Sequence, residues 1–365
     1  ATLDSSNHVL IGVGAGGNGD IANDGAVAVG YLALHALTSG AYNTAVGFQC
    51  LDATDDGASN TAVRYRSLSA NCADNNTAIG YNSLLVNVGS QNTAVGSQAG
   101  LALTSGANNV AVGHHALLDY VDGSQNVAIG SFALAGALGT TADGSSNNTC
   151  IGYAAGGGDW ANQNCSNLVA IGGDCLDGAL AGDTVDGTVA IGASALGALT
   201  SGAGNAAVGF QALMTTATGG ANTAVGYKAA DVLPNGASDN TAIGYGALGA
   251  GNAAATDANT CIGQSAGGSI EAGARNTCIG TSTDPSATGG VDQIVIGYDA
   301  TGVGDDIATL GIGANTASIG LDGSDTSWAA ASSDERYKEN IESSSAGLSF
   351  IEDLRPVTYN WKKAK

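Results

Sequence analysis

A five-residue phrase of the type Asn-Thr-Ala-Val-Gly recurs nineteen times between Val9 and Gly320. The residue before the final Gly is Val or Ile in every copy, from Ile11 through Val46, Ile129 and Ile262 to Ile319. One short strand repeated this often cannot bury a face alone. It must stack on its own copies, so the phrase constrains the chain to a solenoid. Successive phrase-final positions fall mostly 16 to 18 residues apart. That interval is too short for a pair of helices and long enough for one β-coil. The expected second strand of each coil is an Ala-Leu element, as at Ala33-Leu34, Ala116-Leu117 and Ala212-Leu213. Turn residues follow it, as in Thr38-Ser39-Gly40. With coils about 4.8 Å apart, nineteen of them give a rod on the order of 90 Å.

Composition narrows the class. Fifty-eight Gly with 3 Pro, and no Gly every third residue, exclude a collagen triple helix. The recurrent Val and Ile exclude a disordered low-complexity chain. No run of 18 apolar residues is present, so no membrane-spanning helix is expected. The net charge of −22 lies entirely before residue 333, where Arg64, Arg66, Lys228 and Arg275 are the basic residues. This acidity opposes nucleic-acid binding, which needs clustered Lys and Arg. The last 33 residues are neutral. The break places a repetitive shaft at 1–320, a linker at 321–332 and a separate unit at 333–365.

Strand side chains alternate between faces. The expectation is that the Val/Ile column packs inside each coil and the preceding column points out. That preceding column is small: Ala45, Ala94 and Ala128, with Cys150, Cys261 and Cys278 in the same slot. An outward strip of small apolar residues asks for cover, and these six are expected at an interface between copies of the chain. The bland alternative is that Ala fits tight turns between coils. Five of the seven cysteines occupy Ala slots of the repeat and are read as free thiols used as small apolar residues. The rival reading pairs Cys261 with Cys278.

The phrase resembles that of trimeric autotransporter adhesin heads, a left-handed parallel β-roll whose coils carry a Ser-Val-Ala-Ile-Gly-like stretch. Asn126-Val127-Ala128-Ile129-Gly130 is close to it. The resemblance covers roughly 7–320. It implies an all-β parallel solenoid of about 19 coils, assembled as an intertwined or side-by-side homotrimer, with longer coils than those heads.

Interaction candidates lie where coils lengthen. Intervals of 22, 20 and 20 residues separate Gly130, Gly152, Gly172 and Gly192. Trp160, Asn162 and Gln163 in this zone are candidates for contact with a receptor or glycan. The alternative is that Trp160 folds back over the coil edge. His114, His115, Asp119 and Asp122 fit no strong metal motif, and the Asp-rich turns lack a full calcium ligand array. No metal and no cofactor is expected.

After Gly320 the periodicity stops. Ser332-Ser333-Asp334-Glu335-Arg336-Tyr337-Lys338 is charged, Gly347–Leu354 reads as a short amphipathic helix ended by Arg355-Pro356, and Val357–Lys362 alternates like a strand. This small α+β segment resembles the start of the C-terminal intramolecular-chaperone autoprotease of phage tailspikes and tail fibres, endosialidases included. The resemblance implies that Ser333 is the nucleophile and Lys338 its base, cutting between Ser332 and Ser333. The Lys would have to be neutral to accept the proton. It also implies a chaperone that registers three chains, although the family's later helical part is not among these residues.

The expected function is thus a non-enzymatic, homotrimeric part of a phage tail fibre, apart from self-cleavage. Its expected partners are a host surface glycan or protein and other tail or baseplate proteins, without nucleic acid or membrane insertion. The expected location is the virion. The alternatives are a bacterial surface adhesin head, and a tailspike enzyme cleaving glycans with carboxylates among Asp143, Asp159, Asp174 and Asp183. An ice-binding solenoid needs regular Thr arrays that the phrase does not keep.

Overall fold

Each Thr-Ala-Val phrase forms a strand of only three residues, because the Gly that follows cannot continue it. The computed structural model describes residues 7–17, 25–136, 144–158, 165–178, 185–250, 256–323 and 329–330. Sixteen such strands run from Val9–Ile11 to Thr277–Ile279, followed by Ile294–Tyr298 and Ile307–Ile312. Consecutive strands pair in parallel through the whole series, and the described residues contain no helix. Equivalent positions face each other, as in Ala128↔Cys150 and Ile129↔Ile151. The chain is therefore a parallel β-solenoid, as the interval predicts.

The two faces of the strand are the reverse of the sequence expectation. Ala45, Ala94, Ala128, Cys150, Cys261 and Cys278 are fully buried inside their own coils. They are already out of reach of a neighbouring chain. The Val/Ile column points outward, with Ile79 39% and Ile129 37% exposed. The reason is the width of the coil. Opposite the strand, Leu34, Leu51, Leu68, Leu117, Leu134, Leu196, Leu213 and Leu248 supply the bulk of the core. With Leu filling the interior, the inward strand position is mostly Ala or Cys, and Val295 takes it in the coil after Cys278.

The Ala-Leu element is a turn rather than a second strand. Its Leu residues adopt left-handed backbone, with φ 51 at Leu51, 54 at Leu117 and 48 at Leu134. The residue two places earlier does the same, as at Gln49, His115 and Phe132. A third left-handed residue precedes the phrase, as at Tyr42, Asn108 and Gln125. A coil this short can close only with such bends. Each costs roughly 1–2 kcal/mol for a residue with a Cβ. Burial of the Leu contributes about 1.5–3 kcal/mol in return. The turns also stay in register, since the Leu51 N–H donates to the Ser67 carbonyl at 3.1 Å and the Leu117 N–H to Ala133 at 3.0 Å.

The Asn that opens the phrase is the polar spine of the core. Asn92, Asn109, Asn126 and Asn148 are buried. Asn109 Nδ2 donates to the Gly123 carbonyl of the next coil at 2.8 Å, and its Oδ1 accepts from the Asn126 N–H at 2.9 Å. Leu168 and Thr188 interrupt this column, and it resumes from Asn205 to Asn276. The interruption falls within the lengthened coils.

The last copy of the phrase is not a coil. Ile307–Ile312 turns at Gly313 and pairs antiparallel with Asn315–Gly320, which pairs antiparallel again with Ala329–Ala330. In that last coil Leu310, rather than Ile312, stands opposite Ile296. The hairpin occupies the edge that another parallel coil would otherwise extend.

Candidate functional site

The outward strand face is one continuous uncharged strip, with Val or Ile in one column and mostly Thr or Val in the other. From Val9 to Ile296 its two outward positions hold Val, Ile, Thr and Ala, with no charged residue. A third column flanks it, formed by the residue after each phrase-final Gly. Tyr31, Phe48, Tyr65 and Tyr81 stack there with ring centroids 5.1, 5.3 and 5.3 Å apart. Phe210, Tyr227 and Tyr245 repeat the arrangement at 5.3 and 5.2 Å. Ring spacing follows coil spacing, so the faces of inner rings cover one another and edges meet solvent. Acidic side chains sit in the turns instead. Soluble monomers rarely expose more than a few hundred Å² of contiguous apolar surface.

A groove indents the turn side of the rod at two separate stretches. It lies between the residues two places and five places after the phrase-final Gly. It opens into a cavity of about 490 Å³ lined by Gln98, His115 and Phe132 from the first column and Leu101, Leu118 and Ala135 from the second. Asp119 and Gly136 complete the lining. His115 meets Phe132 edge-on at 5.1 Å, and its Nε2 lies 2.6 Å from Gln98 Oε1. Burial, then the neighbouring His114, pushes the His115 pKa down, which favours the neutral imidazole. Asp119 Oδ2 is shut off from water and meets no hydrogen-bond donor among the described residues. Burial pushes its pKa up to about 6. The same two columns line a second cavity of about 480 Å³, with Lys228, Ser265 and Ser282 facing Asp231, Gly249 and Gly268. There burial raises the Asp231 pKa against the pull of Lys228, 3.9 Å away.

The residues singled out from sequence are not gathered into one site. Trp160, Asn162, Gln163, Ser333 and Lys338 lie outside the described residues, as do Asp143, Asp159 and Asp183. His114 stacks on His115 at 3.7 Å, while Asp122 accepts from the Thr104 and Ser105 hydroxyls at 2.7 Å each. Those groups serve separate contacts. Among the described residues no group of three or more His, Cys, Asp and Glu is placed to hold a metal ion. All seven cysteines are free and buried. Burial raises the Cys72 thiol to about 11 and Cys175 to about 12, leaving both unreactive. The groove escaped the sequence reading. Its lining follows the phrase-final Gly by two, five and six places, where the repeat keeps no fixed residue type and so gives no signal.

Two comparisons returned nothing: no curated protein and no solved structure matches the chain. Residues 333–365 match the family model described as chaperone of endosialidase.

Proposed function

We propose that this chain is a homotrimeric shaft and host-recognition part of a phage tail fibre, its three copies brought into register by the C-terminal segment. The observation that carries the reading is the chaperone-of-endosialidase match at 333–365 on a chain whose remainder is a parallel solenoid. The uncharged outer strip supports assembly. Three copies packed strip to strip would bury it, while the acidic turns would face solvent and keep the fibre soluble. Trimer contacts therefore move from the Ala/Cys column to the Val/Ile and aromatic columns. In this reading the virion is the location, and a surface glycan or protein of the host and other tail components are the partners. Ser333 and Lys338 would release the chaperone by an acyl shift onto the serine hydroxyl, followed by hydrolysis.

Near-identical coils can dock one repeat out of step at little cost, so a terminal clamp is physically needed. Expressing residues 1–332 alone should yield aggregated or mixed-stoichiometry protein, read by sedimentation. Soluble native trimers from that truncation would argue against a chaperone role for the segment.

A further inference from the structure

We propose that the outward face of the solenoid's C-terminal cap, centred on Tyr298 and Ile312, seats the segment 333–365 while that segment is still attached. The proposal rests on the chaperone reading above and names the surface through which the segment holds the shaft.

The outward face changes character at the cap. In the two coils before it, the outward and flanking columns still carry Thr260, Gln264, Thr277 and Thr281. In the cap the same columns become Ile294, Ile296 and Tyr298, and the next strand sets Ala308, Leu310 and Ile312 against them. Alternation places these on one face, since the intervening Val295 and Thr309 are fully buried. Tyr298 is 61% and Ile312 67% exposed, and Ile296 and Leu310 are exposed beside them. The antiparallel strand widens the patch with Ala317 and Ile319, opposite Leu310 and Ala308. A contiguous apolar face of this kind marks an interaction surface.

Three observations choose the occupant. The first is reach. Ala330 pairs with Ala317 in the cap, and Ser333 follows three residues later, within about 10 Å of chain. The tether holds the segment beside the patch at a high effective concentration. The second is composition. Leu348, Phe350, Ile351 and Leu354 bring apolar side chains within one short run of the segment. The third is charge. Asp299 follows Tyr298, and Asp305 and Asp306 precede Ile307, so carboxylates border the patch. The segment holds six of the chain's ten Lys and Arg and is neutral overall. A second shaft would bring more negative charge to the same border.

The test uses the full chain with Ser333→Ala, which keeps the segment attached. A benzophenone photo-crosslinking side chain replaces Tyr298 or, in a separate sample, Ile312. Both positions are exposed, so the added ring does not disturb the core. The same side chain in place of the exposed Tyr81, far along the rod, is the control. Irradiated protein is digested and the linked peptides are identified by mass spectrometry. The expected result is linkage of both cap positions to peptides of 333–365, about ten-fold or more above the control. Linkage of the cap to shaft peptides alone, or linkage to 333–365 no higher than at Tyr81, would overturn the proposal. Sedimentation of the same samples separates the two readings. A trimer without the cap linkage removes the seat and leaves the fibre reading standing. Single chains with the cap linkage keep the seat and remove the fibre reading.

Discussion

Gly130→Ala is expected to destabilise the rod by about 3 kcal/mol or more, an effect rare for adding one methyl group. Gly130 has φ +135, a backbone region that residues with a Cβ rarely enter. A Cβ there would overlap the Gly152 carbonyl oxygen of the next coil and lie 2.6 Å from its carbonyl carbon. Backbone strain of roughly 1–3 kcal/mol adds to an overlap of similar size. The obstacle is backbone, which cannot step aside without shifting a strand. Because coils contact only their neighbours, protection from hydrogen exchange should fall first around residues 112–152. Two other glycines calibrate the result. Gly204 has φ +72 and open space around its missing Cβ, so Gly204→Ala should cost about 1 kcal/mol. Gly289 has open space and no positive φ, so its Ala variant should stay within about 0.5 kcal/mol of the parent. Equal effects at the three positions would show that the column does not need Gly. Arg64 is a natural exception in that column, and its φ of 95 shows the backbone displaced from the 122 to 153 of the phrase-final glycines from Gly12 to Gly297.

Asn109→Ala should cost about 3 kcal/mol, although it removes no apolar group. The side chain links three coils, accepting from the Asn126 N–H and donating to Gly123 and to Asn92 Oδ1 at 3.0 Å. Alanine leaves a buried N–H and a buried carbonyl without partners, at about 1–3 kcal/mol each. Chemical denaturation of the parent and the variant measures the difference. A cost below about 1 kcal/mol would mean that water replaces the amide and that the spine is incidental. Leu168 shows what a break looks like. Its N–H still donates to Asn148 Oδ1 at 3.0 Å, but its side chain has nothing to pass to the next coil.

The solenoid was legible because a strand phrase at a fixed short interval admits few other folds. The assignment of its faces was not. Alternation separates Ala45 from Val46 but does not say which is inside, and hydrophobicity ranks Val above Ala. The decisive fact is burial: Leu51 and Ala45 are both fully buried while Val46 is 37% exposed, so Leu supplies the bulk of the interior. Left-handed Leu residues were equally hidden, since propensity assigns that backbone to Gly and Asn. The Asn at the head of the phrase was visible as a regularity. Its role needed the neighbouring carbonyl, which belongs to a residue 14 positions later, as Gly123 is to Asn109. The groove is likewise a property of stacked columns, not of any local run of residues.

Inverting the faces alters the account of assembly more than it alters the fold. The small residues fill each coil, and the larger ones, Ile79 and Ile129 among them, are left outside in a strip without charge. Sedimentation equilibrium of the full chain beside its Ile79→Glu, Ile129→Glu form tests this most directly. The account predicts three chains for the parent, three times 35.3 kDa or about 106 kDa before release of residues 333–365 and correspondingly less after it, and folded single chains for the variant. A parent that sediments as one chain, or a variant that stays trimeric, would contradict it.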